Sequence, residues 1–360
     1  MSSPRIIGLL ALLFAPASLC AQQAAPPDKP SVTVAGVAFV QFGYGLLVDS
    51  SLAPPGHPSN FDVTRTFVHV LGHFGDGVST RVTADIDGRK AAAGQLSFRL
   101  AYAFVSWQPG ARGPLTWKIG LMHTPWNEYE EAVWDYRFQG RSVLDRNGYG
   151  NTADFGAGVD GNWDHDRINM QAGVYNGEGA NAALGDQGKD VSARMSIRLA
   201  PTDLPGRVGG LRLSGYADLG RSTGGGAKRR LLAMLSYKNT RLAIAGIAAA
   251  TEDSIAPASP HLHGQLFSIF ATYNVPKSGV ALIARLDRAD PDTDNNSDAQ
   301  NVSANVAVNP ETRLIGGVGY AISPHLRVLL DVDALSVANG ATNVFDRSRQ
   351  FAYFHTEFKF

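Results

Sequence analysis

The sequence predicts an all-β protein, an antiparallel transmembrane β-barrel of about 16 strands. Three observations predict this fold: apolar and polar residues alternate over many segments of about ten residues, the number of these segments is even, and short links between them mostly alternate with long ones. Hydrocarbon requires every backbone N–H and C=O group to be bonded internally, and a sheet meets that requirement only when it closes on itself.

The composition excludes several other classes. Among 360 residues, 32 Lys and Arg balance 32 Asp and Glu, so the formal net charge is zero. A general nucleic-acid binder carries a clear basic excess, so we predict no nucleic-acid partner. The single Cys excludes an internal disulfide framework. Hydrophobic residues make up 44% of the chain and its mean hydropathy is −0.09, which excludes a bundle of membrane-spanning helices.

The first 21 residues have the features of a signal peptide. Arg5 precedes an apolar run over 6–15, and small residues follow up to Cys20 and the next residue. The run is about half as long as the roughly 20 residues that a spanning helix needs. A lipoprotein anchor on Cys20 is the alternative, although the residue before it is not small, as a lipobox requires. Residues 22–31 then form an N-terminal tether, and residues 32–360 form the barrel.

Each barrel segment places apolar residues on one face and polar residues on the other. In 190–199, for example, Val191 and Met195 share a face that Arg194 does not. The apolar face is predicted to meet lipid and the polar face to line the lumen. The predicted strands are 32–41, 62–74, 78–87, 95–107, 115–122, 152–160, 166–176, 190–199, 210–219, 230–238, 241–250, 264–274, 279–288, 311–320, 325–335 and 349–360.

The links and the aromatic residues also favour a membrane barrel over a soluble sandwich. Short links carry turn residues, as in 75–77 and 323–324, and the long links lie at the other end of the strands. Aromatic residues near strand ends are predicted to form girdles at the membrane interfaces. These girdle residues are Tyr102, Phe104, Trp107, Trp117, Tyr237, Tyr273, Tyr320 and Phe358.

A barrel of sixteen strands is wide enough to leave an aqueous channel. Among the predicted lumen-facing positions, bases outnumber acids, and Arg and Lys favour anions. The alternative is that these bases pair with neighbouring acids and only solvate the wall. The lumen residues predicted to attract anions are Arg65, Arg81, Arg99, Lys118, Arg194, Arg198, Arg285 and Arg313.

The longest predicted link, 123–151, is the third outer loop. It contains five aromatic residues from Trp126 to Phe138, too many for a freely solvated loop. Loops of this length are usually functional, so we expect it to fold inward and narrow the pore. Acids facing bases across the gap would then create a transverse field; a surface loop at a subunit contact is the alternative. The charged residues of this predicted constriction are Glu128, Glu130, Glu131, Asp135, Arg137, Arg141 and Arg146.

Several motifs resemble those of the phosphate-selective porin O and P family. They are the run 118–126 (KIGLMHTPW), Arg141 with the Ser that follows it, 154–156 (DFG), 172–179 (AGVYNGEG) and the terminal Phe360. The likeness covers most of the mature chain. It implies a trimeric, sixteen-stranded porin with an anion-attracting lumen. The aromatic C-terminus resembles the C-terminal signature of outer-membrane proteins that are delivered to the barrel-assembly machinery. The third loop departs from the family pattern, because it has five acids and no Lys.

The sequence therefore predicts an outer-membrane porin that forms a water-filled channel for passive diffusion of small solutes and prefers phosphate-like anions. The alternatives are a general porin, a porin for cations or neutral solutes, and a non-conducting structural or adhesive barrel. The expected partners are outer-membrane lipid and lipopolysaccharide, small solutes or inorganic anions, two further copies in a homotrimer, and the barrel-assembly machinery.

Catalytic and metal-binding signatures are not found in the sequence. No nucleophile elbow occurs, so we predict no enzymatic activity, with an outer-membrane hydrolase as the alternative. The alternating acids of 290–298 lack the Gly and Glu of an EF-hand loop, and the pair His261 and His263 has no third ligand nearby in sequence. We therefore predict no metal and no cofactor.

Overall fold

The computed structural model describes residues 29–48, 57–90, 96–110, 113–180, 188–294, 309–338 and 348–360, with the backbone alone at 87–90. The predicted signal peptide and the predicted tether up to residue 28 lie outside the described residues. Within them, sixteen strands and two short helices follow one another along the chain. Neither helix is long and apolar enough to cross a membrane.

The strands and helices have the following bounds. They are β1 (Ser31–Val48), β2 (Ser59–His73), β3 (Val78–Lys90), β4 (Leu96–Trp107), β5 (Leu115–His123), α1 (Asn127–Trp134), α2 (Val143–Arg146), β6 (Ala153–Trp163), β7 (Ile168–Tyr175), β8 (Asp190–Ala200), β9 (Gly210–Arg221), β10 (Ala227–Lys238), β11 (Leu242–Asp253), β12 (Leu262–Asn274), β13 (Val280–Asp290), β14 (Glu311–Ala321), β15 (Leu326–Val337) and β16 (Arg349–Lys359).

The sheet is a closed antiparallel barrel. Each strand pairs with its neighbours in sequence, and β1 closes the sheet by pairing with β16. At the closure, Phe39 lies opposite Glu357, and the backbone N–H of Gly36 donates to the carbonyl oxygen of Phe360 at 2.8 Å. The predicted fold class is thus confirmed, including the count of sixteen strands. The main difference in strand length is at β1, which extends beyond the predicted residue 41 to Val48.

The alternation in sequence produces an apolar outer face. In β8, Val191 and Met195 are exposed, whereas Ser192 and Arg194 between them are buried. Two predicted girdle residues, Tyr102 and Phe104, are on the inner face instead, opposite Thr83 and Arg81. The girdle prediction is wrong for this pair because Phe104 is three positions from the outward-facing Trp107, and an odd separation places two strand residues on opposite faces.

The inner face is not polar throughout. On β10 to β13 it carries large apolar side chains that are fully buried, among them Met234, Ile247, Leu266 and Phe270. These residues pack with apolar residues of the segment between β5 and β6. The outer face of the same strands is also apolar. This explains why alternation is weak in the predicted strand 241–250.

Candidate channel lining

The segment 124–152, called the loop segment below, packs against the inner face of the barrel. Trp134 of α1 makes an edge contact with Phe270 of β12, with ring centroids 5.2 Å apart. The hydroxyl of Tyr129 lies 2.7 Å from Ser196 Oγ of β8 and 3.2 Å from Ser214 Oγ of β9. These contacts cover the inner side of one half of the barrel.

A buried ion pair joins the loop segment to β13. Glu130 and Arg285 both have fully buried side chains, and Arg285 Nη2 donates to Glu130 Oε1 at 3.2 Å. Glu130 also accepts from Trp126 Nε1 and from the backbone N–H of Val143, each at 2.9 Å. Arg285 Nε donates to both carboxylate oxygens of Asp287, at 2.8 and 2.9 Å. The structure thus places Glu130 and Arg285 in a buried network rather than at a water-exposed wall.

Two further bases hold the end of α1. Lys238 Nζ donates to the carbonyl oxygens of Ala132 at 2.6 Å and Val133 at 3.2 Å. Arg327 Nη2 donates to the carbonyl oxygen of Asp135 at 3.1 Å, where α1 ends with a left-handed backbone (φ 65°). The carbonyl groups of a last helical turn lack intrahelical partners and favour cations, so these contacts fix α1 in place.

Three other predicted lumen bases also have specific partners. Arg194 Nε donates to the carbonyl oxygen of Pro125 at 3.0 Å, near the start of the loop segment. Arg313 lies 3.4 Å from a carboxylate oxygen of Asp333. Arg198 donates to a backbone oxygen in the turn after β6, at 3.0 Å. Arg194 therefore attaches the loop segment to β8, Arg313 joins β14 to β15, and Arg198 joins β8 to the turn after β6.

The four remaining predicted lumen bases lie on four consecutive strands, and we call them the basic track. Positions along the track are given by the β3 residue at the same height. Lys118 of β5 and Ser79 of β3 both pair with Ser106 of β4, so Lys118 lies at the height of Ser79. Arg81 follows two residues later, Arg99 of β4 is opposite residue 85, and Arg65 of β2 is opposite residue 87. At about 3.4 Å per residue, the track extends over about 27 Å of strand length.

The ends of the track carry carboxylate partners. Asp85 is fully buried and accepts from Arg99 Nε at 2.8 Å, while its Oδ2 is 2.7 Å from Arg99 Nη2 and 3.2 Å from Arg65 Nη2. Lys118 pairs with Asp160 of β6. Two arginines thus share one carboxylate at the end of the track that carries Arg65 and Arg99, which we call the upper track.

Arg81, between these ends, has neutral partners. Its Nε donates to Thr83 Oγ1 at 3.1 Å, and its two terminal nitrogens lie 3.4 Å from ring nitrogens of His123 and His69. Among the described residues, no carboxylate lies within ion-pair distance of Arg81. Its positive charge is therefore not neutralised by a direct ion pair within the described part of the chain, and Glu128, an acid of the loop segment, reaches only as far as His123, at 3.9 Å.

The loop segment presents charged groups towards the track. Arg137 Nε lies 2.6 Å from Glu131 Oε1, and Arg141 Nη1 lies 3.4 Å from a carboxylate oxygen of Asp145. Glu128 is partly exposed and lies 3.7 Å from Arg207. A cavity of about 300 Å³ separates the loop segment from the upper track. Its charged lining residues are Arg65, Asp85, Arg99, Arg141, Asp145 and Glu178.

Solved structures with a similar architecture include outer-membrane proteins. The anion-selective porin from Comamonas acidovorans has a TM-score of 0.65 and 12% identity, over 92% of this chain and 100% of that chain. The outer membrane channel DcaP of Acinetobacter baumannii has a TM-score of 0.62 and 10% identity, over 92% and 98%. OmpT of Vibrio cholerae, folded in vitro and in its trimer form, has a TM-score of 0.60 and 11% identity, over 92% and 100%.

The fold is that of an outer-membrane porin. At these identities the likeness concerns the fold alone. No protein-family model and no curated protein matches the chain.

Within this porin fold, the described residues include no group of three or more His, Cys, Asp or Glu arranged to hold a metal ion. All four bases of the track are among the residues that the sequence places on the inner face. The attachment of Glu130 to Arg285 and the contacts of Arg81 with Tyr102 and of Lys118 with Phe104 could not be predicted, because they join residues that are far apart in sequence.

The selectivity of a channel along the track is expected to vary with pH through Glu131. Burial raises the pKa of Glu131 to about 7, with Asp145 and Glu130 adding to the effect and Arg137 and Arg65 opposing it. The carboxyl group is then neutral at lower pH and becomes negative as the pH rises through about 7. Anion preference, measured from reversal potentials between about pH 6 and pH 8, should therefore fall with increasing pH.

The Glu131→Gln variant separates this effect from other titrating groups. We expect the pH profile of Glu131→Gln to be flatter than that of the wild type, with anion preference at its low-pH value throughout. A profile as steep as that of the wild type would assign the effect to a group other than Glu131.

Proposed function

We propose that the chain is an outer-membrane porin whose water-filled channel passes small solutes by diffusion and prefers anions. The observation that carries the proposal is the basic track, at whose centre Arg81 has no direct ion pair among the described residues. Rings of Arg and Lys in a pore attract anions and repel cations, and they act most strongly where a wall of low dielectric confines the ions.

The channel is proposed to run between the basic track and the loop segment. The packing of α1 on β8, β9 and β12 and its attachment to β13 support this path, because they leave β2 to β5 as the opposite wall. In this proposal the loop segment is the inward-folded third loop, and Glu128, Glu131, Arg137 and Arg141 line the constriction. Glu130, Asp135 and Arg146 hold the loop segment in position.

The remaining parts of the proposal concern targeting, assembly and family. Residues 1–21 would direct export, and the barrel would be inserted by the barrel-assembly machinery among outer-membrane lipid and lipopolysaccharide. The trimer form of the similar OmpT supports a homotrimer. The motif likeness to the phosphate-selective porin O and P family, together with the similar anion-selective porin, supports inorganic anions as solutes.

Reversal potentials in a KCl gradient across planar bilayers test the proposal. The wild type should conduct with a reversal potential of the sign given by chloride preference. Arg81→Gln removes one positive charge from the bore, so its anion-to-cation permeability ratio should fall about two- to fourfold.

Arg167→Gln is the matched control, because Arg167 lies in the exposed turn between β6 and β7 and is 64% exposed. It removes the same charge outside the bore and should leave the reversal potential unchanged. Absence of conductance would refute the porin proposal in favour of a structural or adhesive barrel. A potential with the sign of potassium preference would refute the anion preference alone.

A further inference from the structure

Three bases of the basic track lie over aromatic rings of the inner face. The guanidinium carbon of Arg81 is 4.6 Å from the ring centroid of Tyr102, and that of Arg65 is 5.1 Å from the centroid of Phe67. Lys118 Nζ is 5.6 Å from the centroid of Phe104. All three distances are within the range of cation–π contacts. The track is therefore a series of bases on rings along one wall.

A ring holds a base in place without neutralising it. A carboxylate partner would cancel the charge that an anion needs, as Asp85 does in part for Arg65 and Arg99. A ring stabilises the cation through its quadrupole and leaves the unit charge intact. Arg81 shows this most clearly, since its partners are Tyr102 below it and neutral groups around it.

The rings also leave apolar surface beside the bases. Phe67 and Phe104 are only partly buried, whereas Tyr102 is stacked on His123 with centroids 3.9 Å apart. The cavity of about 300 Å³ at the upper track is lined by Phe67 and Tyr102 together with Arg65. This volume is at the lower end of the range of small-molecule sites.

We propose that the basic track binds planar organic anions, namely carboxylates attached to an aromatic ring, during their passage. The inference rests on the proposed channel function and names its preferred solute class. The carboxylate would be attracted by Arg81 and the neighbouring bases, and the ring would lie against Phe67 or Phe104. Inorganic phosphate can accept hydrogen bonds from the same guanidinium groups, but it gains nothing from the aromatic rings beside them.

The test compares four anions on the wild-type protein in planar bilayers: benzoate, cyclohexanecarboxylate, acetate and inorganic phosphate. Each is titrated at constant KCl, and the concentration that halves the KCl current is measured. We expect benzoate to act at about fivefold lower concentration than cyclohexanecarboxylate, which has the same charge and similar size but no π system. Acetate and phosphate should be weaker still.

The variant Phe67→Leu/Phe104→Leu keeps apolar side chains and removes two rings. It should bring benzoate and cyclohexanecarboxylate to equal half-blocking concentrations. Phe155→Leu, on the lipid-facing surface and 43% exposed, is the control and should retain the wild-type difference.

The outcomes separate this inference from the proposed function. The inference is overturned if benzoate and cyclohexanecarboxylate have equal half-blocking concentrations on the wild type, or if that of phosphate is lower than both. In either case a chloride-selective current would leave the porin proposal intact. Retention of the wild-type difference by the double Phe variant also overturns it, because the rings then make no contribution. A wild type without current refutes both proposals.

Discussion

Replacing Arg285 with Met should increase the single-channel conductance and make the current fluctuate between levels. It should also lower the melting temperature of the barrel. The substitution leaves Glu130 fully buried without its cation and removes the two short hydrogen bonds to Asp287. Breaking one partner of a buried ion pair costs about 3–5 kcal/mol, because the remaining charge stays out of water. Since Glu130 joins both α1 and the N-terminus of α2, we expect the loop segment to leave the wall. Single-channel recordings and thermal unfolding in detergent measure the two effects.

The double variant Glu130→Leu/Arg285→Met provides an internal check. It removes both charges and should recover most of the lost stability, because Asp287 keeps Arg146, 3.8 Å away, and a hydrogen bond from Ser268. Arg229→Met is the surface control: Arg229 is 59% exposed and pairs with Glu252, so the loss should be within about 1 kcal/mol. Wild-type conductance and melting in Arg285→Met would show that this ion pair does not hold the loop segment.

The barrel could be predicted from sequence because its physical constraint is local. Each strand meets lipid on one side, so residues such as Val191 and Met195 alternate with polar ones, and the alternation is visible without knowledge of any partner strand. The lumen position of Arg65, Arg81, Arg99 and Lys118 follows from the same alternation. The turns are equally local, since glycines and prolines mark them directly.

The roles of the individual bases could not be predicted in the same way. Arg81 and Arg99 both point to the inner face. Arg99 nevertheless pairs with a carboxylate, that of Asp85, whereas Arg81 contacts neutral groups. The difference depends on register and on a bulge between β3 and β4. Arg285 and Glu130 are 155 residues apart, and they meet only because the loop segment extends to β13.

Alternation does not identify the inward-facing apolar residues where the inner wall is covered. Alternation predicts a polar inner face, but Ile247 and Phe270 are inward-facing and buried by the loop segment. Tyr102 and Phe104 were expected at the membrane interface for a related reason: a ring is favourable both at the interface and beneath a base. The sequence alone does not distinguish these environments.

The substitution Asp85→Asn should increase the anion preference of the channel. Asp85 is fully buried and neutralises part of the charge of Arg65 and Arg99, so its replacement adds one positive charge at the upper track. A unit charge about 8 Å from the ion path changes the energy of a monovalent ion by about 0.5 kcal/mol in water. This raises the local chloride concentration about twofold and lowers that of potassium equally, so the permeability ratio should rise about fourfold.

The measurement is the reversal potential in dilute KCl, where screening is weakest, and the effect should shrink as salt is added. Asp76→Asn is the matched control: Asp76 is exposed in the short turn after β2, and its positive φ of 49° is one that Asn tolerates. That control makes the same chemical change outside the proposed bore and should leave the ratio unchanged. An Asp85→Asn channel with an unchanged ratio would mean that ions do not pass beside the basic track. The channel would then have to run along another wall of the barrel, where Arg81 could no longer set its selectivity.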